Sequence, residues 1–405
     1  TPLLSPISAR PGLVAAAHFG DFRMRGCKRR SNQIARHKRR ATSLKDVRYA
    51  QLAQASILST RLAMIRASIL LGLKAYTIFA GVVAIILLSG SNNQNILMLS
   101  NIRLLLFGPA ALLFPFFLAK SPFRIWSFFS LIALLGLPWS LFSQPDYCAR
   151  SLPNHSSNLK VMTLNLAGSS EVNGRNLSGL ATFHGLDVLA LQEVSPNFWK
   201  TEGAKLRKLY PHFAYRESAS GYWTQALLSK HPFELSRIRD PGPGFSNFAS
   251  RLVLDVQILK SGQKLSILVT HLSVPFFRGP CRGLSCLLSR YRQTDRDRQL
   301  QQLAKWSAEK DHPVIILGDL NLSDQNPIYS SFARDFIDAG RCTPLVSGTW
   351  PADGTLPFPV TRIDYALYHH PRSMASKRPI IASSETVYVP GTDHLAVIAN
   401  FSNQL

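Results

Sequence analysis

Hydrophobic positions follow two different patterns along the chain. In Ala67–Ser89, Leu104–Ala119 and Ile125–Phe142, apolar residues run on with no strand or one-sided helical period, interrupted by Lys74 and a few small polar residues. A helix that crosses a bilayer needs ~20 apolar residues at a rise of about 1.5 Å each. Three runs that are apolar all round, so close together, predict three spanning helices rather than buried helices of a soluble domain. Pro109 and Pro115 interrupt the second run, and membrane helices tolerate such breaks. The short link KSPFR between the second and third runs predicts an antiparallel hairpin.

From Leu159 onward the pattern changes to short elements. LKVMTLN, DVLALQEV, TQALLSKHPF, RLVLDVQIL, KLSILVTHL, HPVIILGDLN, RIDYALY and HLAVIANF read as strands. SGQK, between two of them, reads as a hairpin turn. LSGLATFHGL, NFWKTEGAKLRKLY and TDRDRQLQQLAKWSAEK read as helices, the last with Leu300, Leu303, Ala304 and Ala308 on one side. The expectation is an α/β domain with mixed sheets over 159–405. It follows a basic arm (1–63), a membrane region (64–143) and a linker (144–158).

Composition changes this picture mainly through charge. The chain of 405 residues is 46% hydrophobic with a formal net charge of +23, which excludes a wholly disordered chain. Much of the positive excess lies before the first apolar run, in stretches such as RMRGCKRRSNQIARHKRR. That arm lacks apolar periodicity and is expected to be disordered and solvated, with nucleic acid or anionic lipid as alternative partners. The apolar run begins too far beyond the Arg pairs for a twin-arginine signal. Met64 would make a credible start of a signal anchor. The positive-inside rule places the N-terminus and the Lys120–Arg124 loop in the cytoplasm, so three crossings put everything after Gln144 outside. Cys148, Cys281, Cys286 and Cys342 would then share an oxidising compartment, where disulfides are allowed. Cys281 and Cys286 are near enough in sequence to close a short loop.

Candidate chemistry sits at the ends of the apolar runs of the C-terminal domain. Asn165, Glu193, His271, Asp319, Asn321, Asp364, Asp393 and His394 each lie at or beside such an end. Strand ends that rim a sheet are where α/β proteins build sites. Carboxylate and amide oxygens suit hard divalent cations, and a His backed by a carboxylate suits acid–base work. No Gly-rich nucleotide loop, Cys/His zinc spacing or G-x-S-x-G stretch is present, which argues against those chemistries.

The ordered set TLN, LQEV, THL, GDLN, RIDY and TDH resembles the endonuclease/exonuclease/phosphatase superfamily, over nearly the whole C-terminal domain. LLSKHPF and RDRQLQQL resemble the family's Ser-x-x-Pro strand end and Arg-x-x-Gln helix. The resemblance implies a four-layered α/β sandwich, two packed sheets flanked by helices, here preceded by an all-α transmembrane segment. By the same resemblance Glu193 is the principal Mg²⁺ ligand, with Mn²⁺ as an alternative metal, and Asn165 and Asp393 are further metal-side residues. Asp319 and Asn321 orient the attacking water and hold a phosphate oxygen. His394, oriented by Asp364, faces the scissile phosphate, and His271 donates to it. The THL form in THLSVP and the missing Glu-Gly-Arg strand depart from abasic-site endonucleases. The form is closer to deoxyribonuclease-like, sphingomyelinase-like and inositol-phosphatase-like members.

The function expected from these residues is a Mg²⁺-dependent phosphoesterase in a bacterial inner membrane, its catalytic domain outside the cytoplasm. Nuclease-like activity is favoured. The alternatives are a phospholipid- or inositol-phosphate-directed enzyme and a non-catalytic binding module. Partners are a phosphate ester (nucleic acid or phospholipid head group) and the bilayer itself, and no protein partner is inferred. Arg278, Arg282, Arg290 and Arg292, interleaved with Phe276, Phe277 and Tyr291, are candidate substrate-binding residues in the loop after His271.

Overall fold

The computed structural model describes residues 25–91, 93–120, 125–137, 145, 147–148, 159–168, 171–215, 224–242, 252–275, 290–342, 348–371 and 380–402. The chain forms two compact units, Thr1–Leu73 and Lys74–Leu405. The described part of the first unit is helical and belongs to α1 (Arg25–Leu88). The sequence pattern leads one to expect a disordered arm up to residue 63; residues 1–24 lie outside the described residues, and from Arg25 the backbone is a helix instead. The reason is local. From Cys27 to Leu71 there is no Gly or Pro, and Ala, Leu, Arg and Gln abound. Intrinsic propensity favours a helix there without any apolar stripe.

In the second unit the end of α1 is followed by α2 (Gln94–Ser100), α3 (Arg103–Leu112), α4 (Phe114–Lys120) and α5 (Ile125–Leu135). Ala80, Val83 and Ala84 of α1 pack with Phe107, Ala110 and Ala133 of α3 and α5. The helices approach closely because a Cβ on Gly81 would lie 2.6 Å from the Phe129 ring. Lys74, the one charge in the first apolar run, sits 4.3 Å from the centre of the Trp126 ring. Outward-facing Phe79, Val82, Ile85, Leu88, Leu112, Phe116 and Phe128 are exposed. Among the described residues, Val47–Leu88 alone is long and apolar enough to cross a bilayer as one helix. Gln94–Ser100 and Arg103–Ala119 form a pair bent by 71°. Helix α5 covers only the first part of the run Ile125–Phe142, and residues 138–144 lie outside the described residues.

The remainder is two six-stranded mixed sheets. The first comprises β1 (Leu159–Asn165), β2 (Val188–Val194), β3 (His212–Tyr215), β4 (Thr224–Ser229), β11 (Ile380–Tyr388) and β12 (Leu395–Ser402), in the order β11-β12-β1-β2-β4-β3. The second comprises β5 (Phe233–Arg239), β6 (Val253–Lys260), β7 (Gln263–His271), β8 (Val314–Asp319), β9 (Ile337–Asp338) and β10 (Asp364–His369), in the order β5-β6-β7-β8-β10-β9. Each sheet has one parallel pair at its centre, β1 with β2 and β7 with β8. Val161, Ala190, Ile267 and Leu317 belong to the core between the sheets. The outer face of the first sheet is covered by α6 (Gly174–Phe183), α7 (Pro196–Thr201) and α8 (Gly203–Leu206) through Leu177, Phe198 and Leu206. The outer face of the second is covered by α9 (Thr294–Ala308) and α10 (Pro327–Phe332) through Leu300, Leu303 and Tyr329. This is the expected four-layered sandwich.

Strands β6 and β7 meet at the expected turn, where Ser261 and Gly262 both take positive φ and Lys260 pairs with Gln263. That is the geometry of a two-residue primed turn, which matches the twist of antiparallel strands. Cys148 and Cys342 form a disulfide across a sequence separation of 194; Cys281 and Cys286 lie outside the described residues.

Candidate active site

The site is assembled at one rim of the sandwich. Parallel strands β1, β2, β7 and β8 all end there, delivering Asn165, Glu193, His271 and Asp319. Antiparallel β10 begins there with Asp364, paired with Asp319, and β12 begins just after His394. The sheet registers thus bring residues far apart in sequence to one place. His271, Asp319 and Asp364 sit on adjacent strands of one sheet as consecutive cross-strand partners.

Local backbone features aim these side chains. Gly318 has φ +149, and a Cβ there would lie 1.8 Å from the Thr270 carbonyl oxygen. Only glycine lets β8 pass β7 this closely while turning Asp319 into the site. Glu193 and Asn321 hold left-handed φ values of 52 and 48 without being glycine. Such strain persists where surrounding contacts over-determine it and clusters at functional sites. At Glu193 it coincides with the break in β2–β4 pairing between Leu191 and Val194, which re-aims the carboxylate.

The polar groups form one connected network. His394 Nδ1 donates to Asp364 Oδ2 at 2.9 Å, which leaves Nε2 toward the cavity. Asn165 Nδ2 donates to Asp319 Oδ2 at 3.0 Å, and the Asn321 backbone N–H donates to Asp319 Oδ1 at 2.7 Å. His271 Nε2 lies 3.5 Å from both Glu193 Oε1 and Asp319 Oδ2. Asp393 Oδ2 accepts from Trp350 Nε1 at 2.9 Å. All eight sequence-selected residues therefore meet at this rim. Asn165 orients Asp319 through Nδ2, while its Oδ1 accepts from the Ala167 N–H and keeps a second lone pair.

Burial sets the electrostatics. Burial pushes the Asp319 carboxyl up, the neighbouring Asp364 carboxylate pushes it further, and it reaches about 7 despite His394 and the Asn donors. Burial alone would lower the His394 imidazole, but Asp364 outweighs it by charge and hydrogen bond, raising it to about 10. The His394 imidazolium thus faces several carboxylates at the wall of the cavity. The Oδ1 atoms of Asp364 and Asp393 are buried with no hydrogen-bond partner among the described residues. Asp319, Asp364 and His394 offer ligand atoms within 4.8 Å of one another. Carboxylate oxygens without a hydrogen-bond partner, in a pocket of oxygen donors, fit a hard divalent cation.

Further hydrogen bonds hold this arrangement. Arg296 of α9 donates to the Asn321 carbonyl at 2.9 Å, while Gln299, one turn on, receives the Ser273 N–H at 2.9 Å. The Arg-x-x-Gln helix thus pins the loops that follow β7 and β8. Buried Arg362 binds Asp324 at 2.7 Å and Asp338 through both terminal nitrogens, bracing the loop after Asp319. The Thr392 hydroxyl donates to the Asn165 carbonyl at 2.7 Å, tying the two edges of the site. Thr392 and Arg362 were not legible as supports, since their partners are a backbone carbonyl and distant carboxylates.

Of the four candidate substrate arginines, Arg278 and Arg282 lie outside the described residues. Arg290 and Arg292 are not among the residues lining the cavity. Tyr291 is buried and hydrogen-bonded to Asn101 and Gln293, so its ring is not open for base stacking.

The Endonuclease/Exonuclease/phosphatase family model matches residues 162–394, more than half of the chain, and the chain belongs to that family. No curated protein matches it. Among solved structures, it is similar to humanized D. rerio TDP2, with 22% identity and a TM-score of 0.47 over 61% of this chain and 99% of that one. It is also similar to sphingomyelinase C from Streptomyces griseocarneus, with 20% identity and a TM-score of 0.43 over 60% and 99%. An endonuclease/exonuclease/phosphatase from Bacteroides vulgatus matches with 14% identity and a TM-score of 0.46 over 61% and 99%.

Proposed function

We propose that the chain is a membrane-anchored, divalent-cation-dependent phosphoesterase, Mg²⁺ being the expected ion. The observation that carries this reading is the buried Asp319–Asp364–His394 group at the strand-end rim, with Glu193 and His271 beside it. The reaction is hydrolysis: water attacks phosphorus, the P–O ester bond breaks, and the leaving oxygen takes a proton. Asp319, held near neutrality by burial, is poised to accept the proton of the water. His394, kept cationic by Asp364, places positive charge and a donor at a phosphoryl oxygen. His271 adds a second donor, and Asn321 lies beside Asp319 to position the water. Glu193 and Asp393, with Asn165 at their side, would hold the cation, which when bound neutralises charge on the phosphate.

The membrane part of the proposal is supported by the apolar α1 and the exposed hydrophobic side chains of α3, α4 and α5. Nuclease and phospholipid substrates both accord with a phosphate-centred site, and TDP2 of D. rerio is known with a single strand DNA product. The test is hydrolysis of a chromogenic phosphodiester by the full chain. Asp319→Asn and His394→Ala should each lower kcat by about 10²–10⁴-fold, with circular dichroism unchanged, and EDTA should abolish turnover. Full activity in either variant, or in excess chelator, rejects the assignment.

A further inference from the structure

The cavity of about 710 Å³ in front of the catalytic rim has two unlike sides. One side is the polar set just described. The lining also includes Met98, Leu99 and Ile102, from α2 and the turn that follows it. These residues lie between two apolar helical runs, well outside the sandwich in sequence, yet they form part of the wall of its active site.

This wall is fixed in place. The Asn101 side chain donates to the Tyr291 hydroxyl at 2.9 Å and accepts from Asn326 at 3.0 Å, while its carbonyl accepts from the Ser323 hydroxyl at 3.0 Å. The Leu104 N–H donates to the Gln325 side chain at 2.8 Å. Ser323 and Gln325 belong to the loop that begins at Asn321, so the wall is tied to the segment that carries catalytic groups. On its other side the wall is continuous with the apolar helices. Leu99 lines the cavity and also packs, with Ile96, against the cluster built by α1, α3 and α5.

A cavity with a phosphate-directed polar side, and an apolar side that leads into helices with exposed hydrophobic surfaces, suits an amphiphile. A nucleic acid strand would have to lay charged phosphates and polar base edges against Met98, Leu99 and Ile102, losing hydration without new partners. A chain of methylenes gains from the same contact. Resting on the phosphoesterase reading above, we propose that Met98, Leu99 and Ile102 are a chain-binding wall, and that the substrate is a lipid phosphate ester of the surrounding bilayer. Its phosphate would sit at the rim and its apolar chain along the wall.

The test uses the full chain in one detergent and two substrates with the same leaving group, methyl and octyl 4-nitrophenyl phosphate. The wild type should favour the octyl ester in kcat/KM by about tenfold or more, mainly through KM. Replacing Met98 and Ile102 together by Ser should remove most of that preference, and Met98→Leu should retain it. Equal efficiency on both esters in the wild type, or a preference unchanged by the Ser pair, overturns the chain-binding wall. So does cleavage of plasmid DNA with a higher kcat/KM than the octyl ester. If the methyl ester is turned over in a manner that Asp319→Asn abolishes, the phosphoesterase reading stands whatever the chain preference. If neither ester is hydrolysed, that reading fails, and the wall proposal falls with it.

Discussion

At the scale of single residues, the site trades stability for readiness to bind a cation. Asp319 is raised from 3.8 to about 7, so in the absence of metal the folded state binds a proton that the unfolded state releases. Its contribution to stability is complete below about pH 4 and is lost as pH rises through 7. His394 acts in the same direction, its contribution complete below 6.5 and lost as pH rises through about 10. In chelator the melting temperature of the wild type should therefore fall between pH 4 and 7 more steeply than that of Asp319→Asn. Mg²⁺ competes with the proton, so it should raise the wild-type melting temperature more at pH 8 than at pH 5. Parallel pH profiles for wild type and variant would show that Asp319 titrates normally. These eight polar residues were legible in the sequence because each closes or opens an apolar run. Their partners were not: the Asp319–Asp364 apposition depends on β8–β10 register, which no local pattern encodes.

Among the elements, legibility followed hydrophobic pattern. Strands buried on both faces, such as β4 and β8, stand out as continuous apolar runs. Strand β5, with a mostly exposed sequence FELSRIR, and β3, only four residues long, carry no such signal. The part of α1 before Ala67 was hidden for the opposite reason, because propensity without amphipathicity leaves no period to read. Helix α2 was the most consequential omission: Gln94–Ser100 reads as a loop between apolar runs, and its role comes from tertiary hydrogen bonds through Asn101. Asn101→Ala would remove one donor from the Tyr291 hydroxyl and one acceptor from the Asn326 amide, in a part-buried setting. The expected cost is about 1–3 kcal/mol, read as a lower denaturation midpoint of the full chain. An unchanged midpoint would mean that α2 is not anchored by this residue.

For the whole molecule, the proposed membrane anchoring raises the question of which side of the bilayer would hold the catalytic domain, and the fold bears on it by parity. Met98, Leu99, Asn101 and Ile102 share a cavity with the catalytic rim, so an anchored chain would hold both on the same face of the bilayer. The helices between them, α3 to α5, would then cross an even number of times, either as a spanning hairpin or as one that dips in and returns. Only the crossing by α1 remains to set the side. In an anchored chain the basic residues ahead of the apolar run would favour the cytoplasm for the N-terminal end, and the prediction is then a catalytic domain outside. The Cys148–Cys342 disulfide agrees, since such bonds persist in oxidising compartments. A C-terminal alkaline phosphatase fusion should accordingly be active in a bacterial host, and a green fluorescent protein fusion at the same point dark. Thiol alkylation with and without reductant should show Cys148 and Cys342 protected until reduced, and reduction should cost roughly 2–5 kcal/mol of stability. A fluorescent, phosphatase-inactive pair of fusions, with both thiols freely alkylated, would place the domain in the cytoplasm. The parity argument would survive that outcome, because it fixes α2 and the domain to a common face without saying which one.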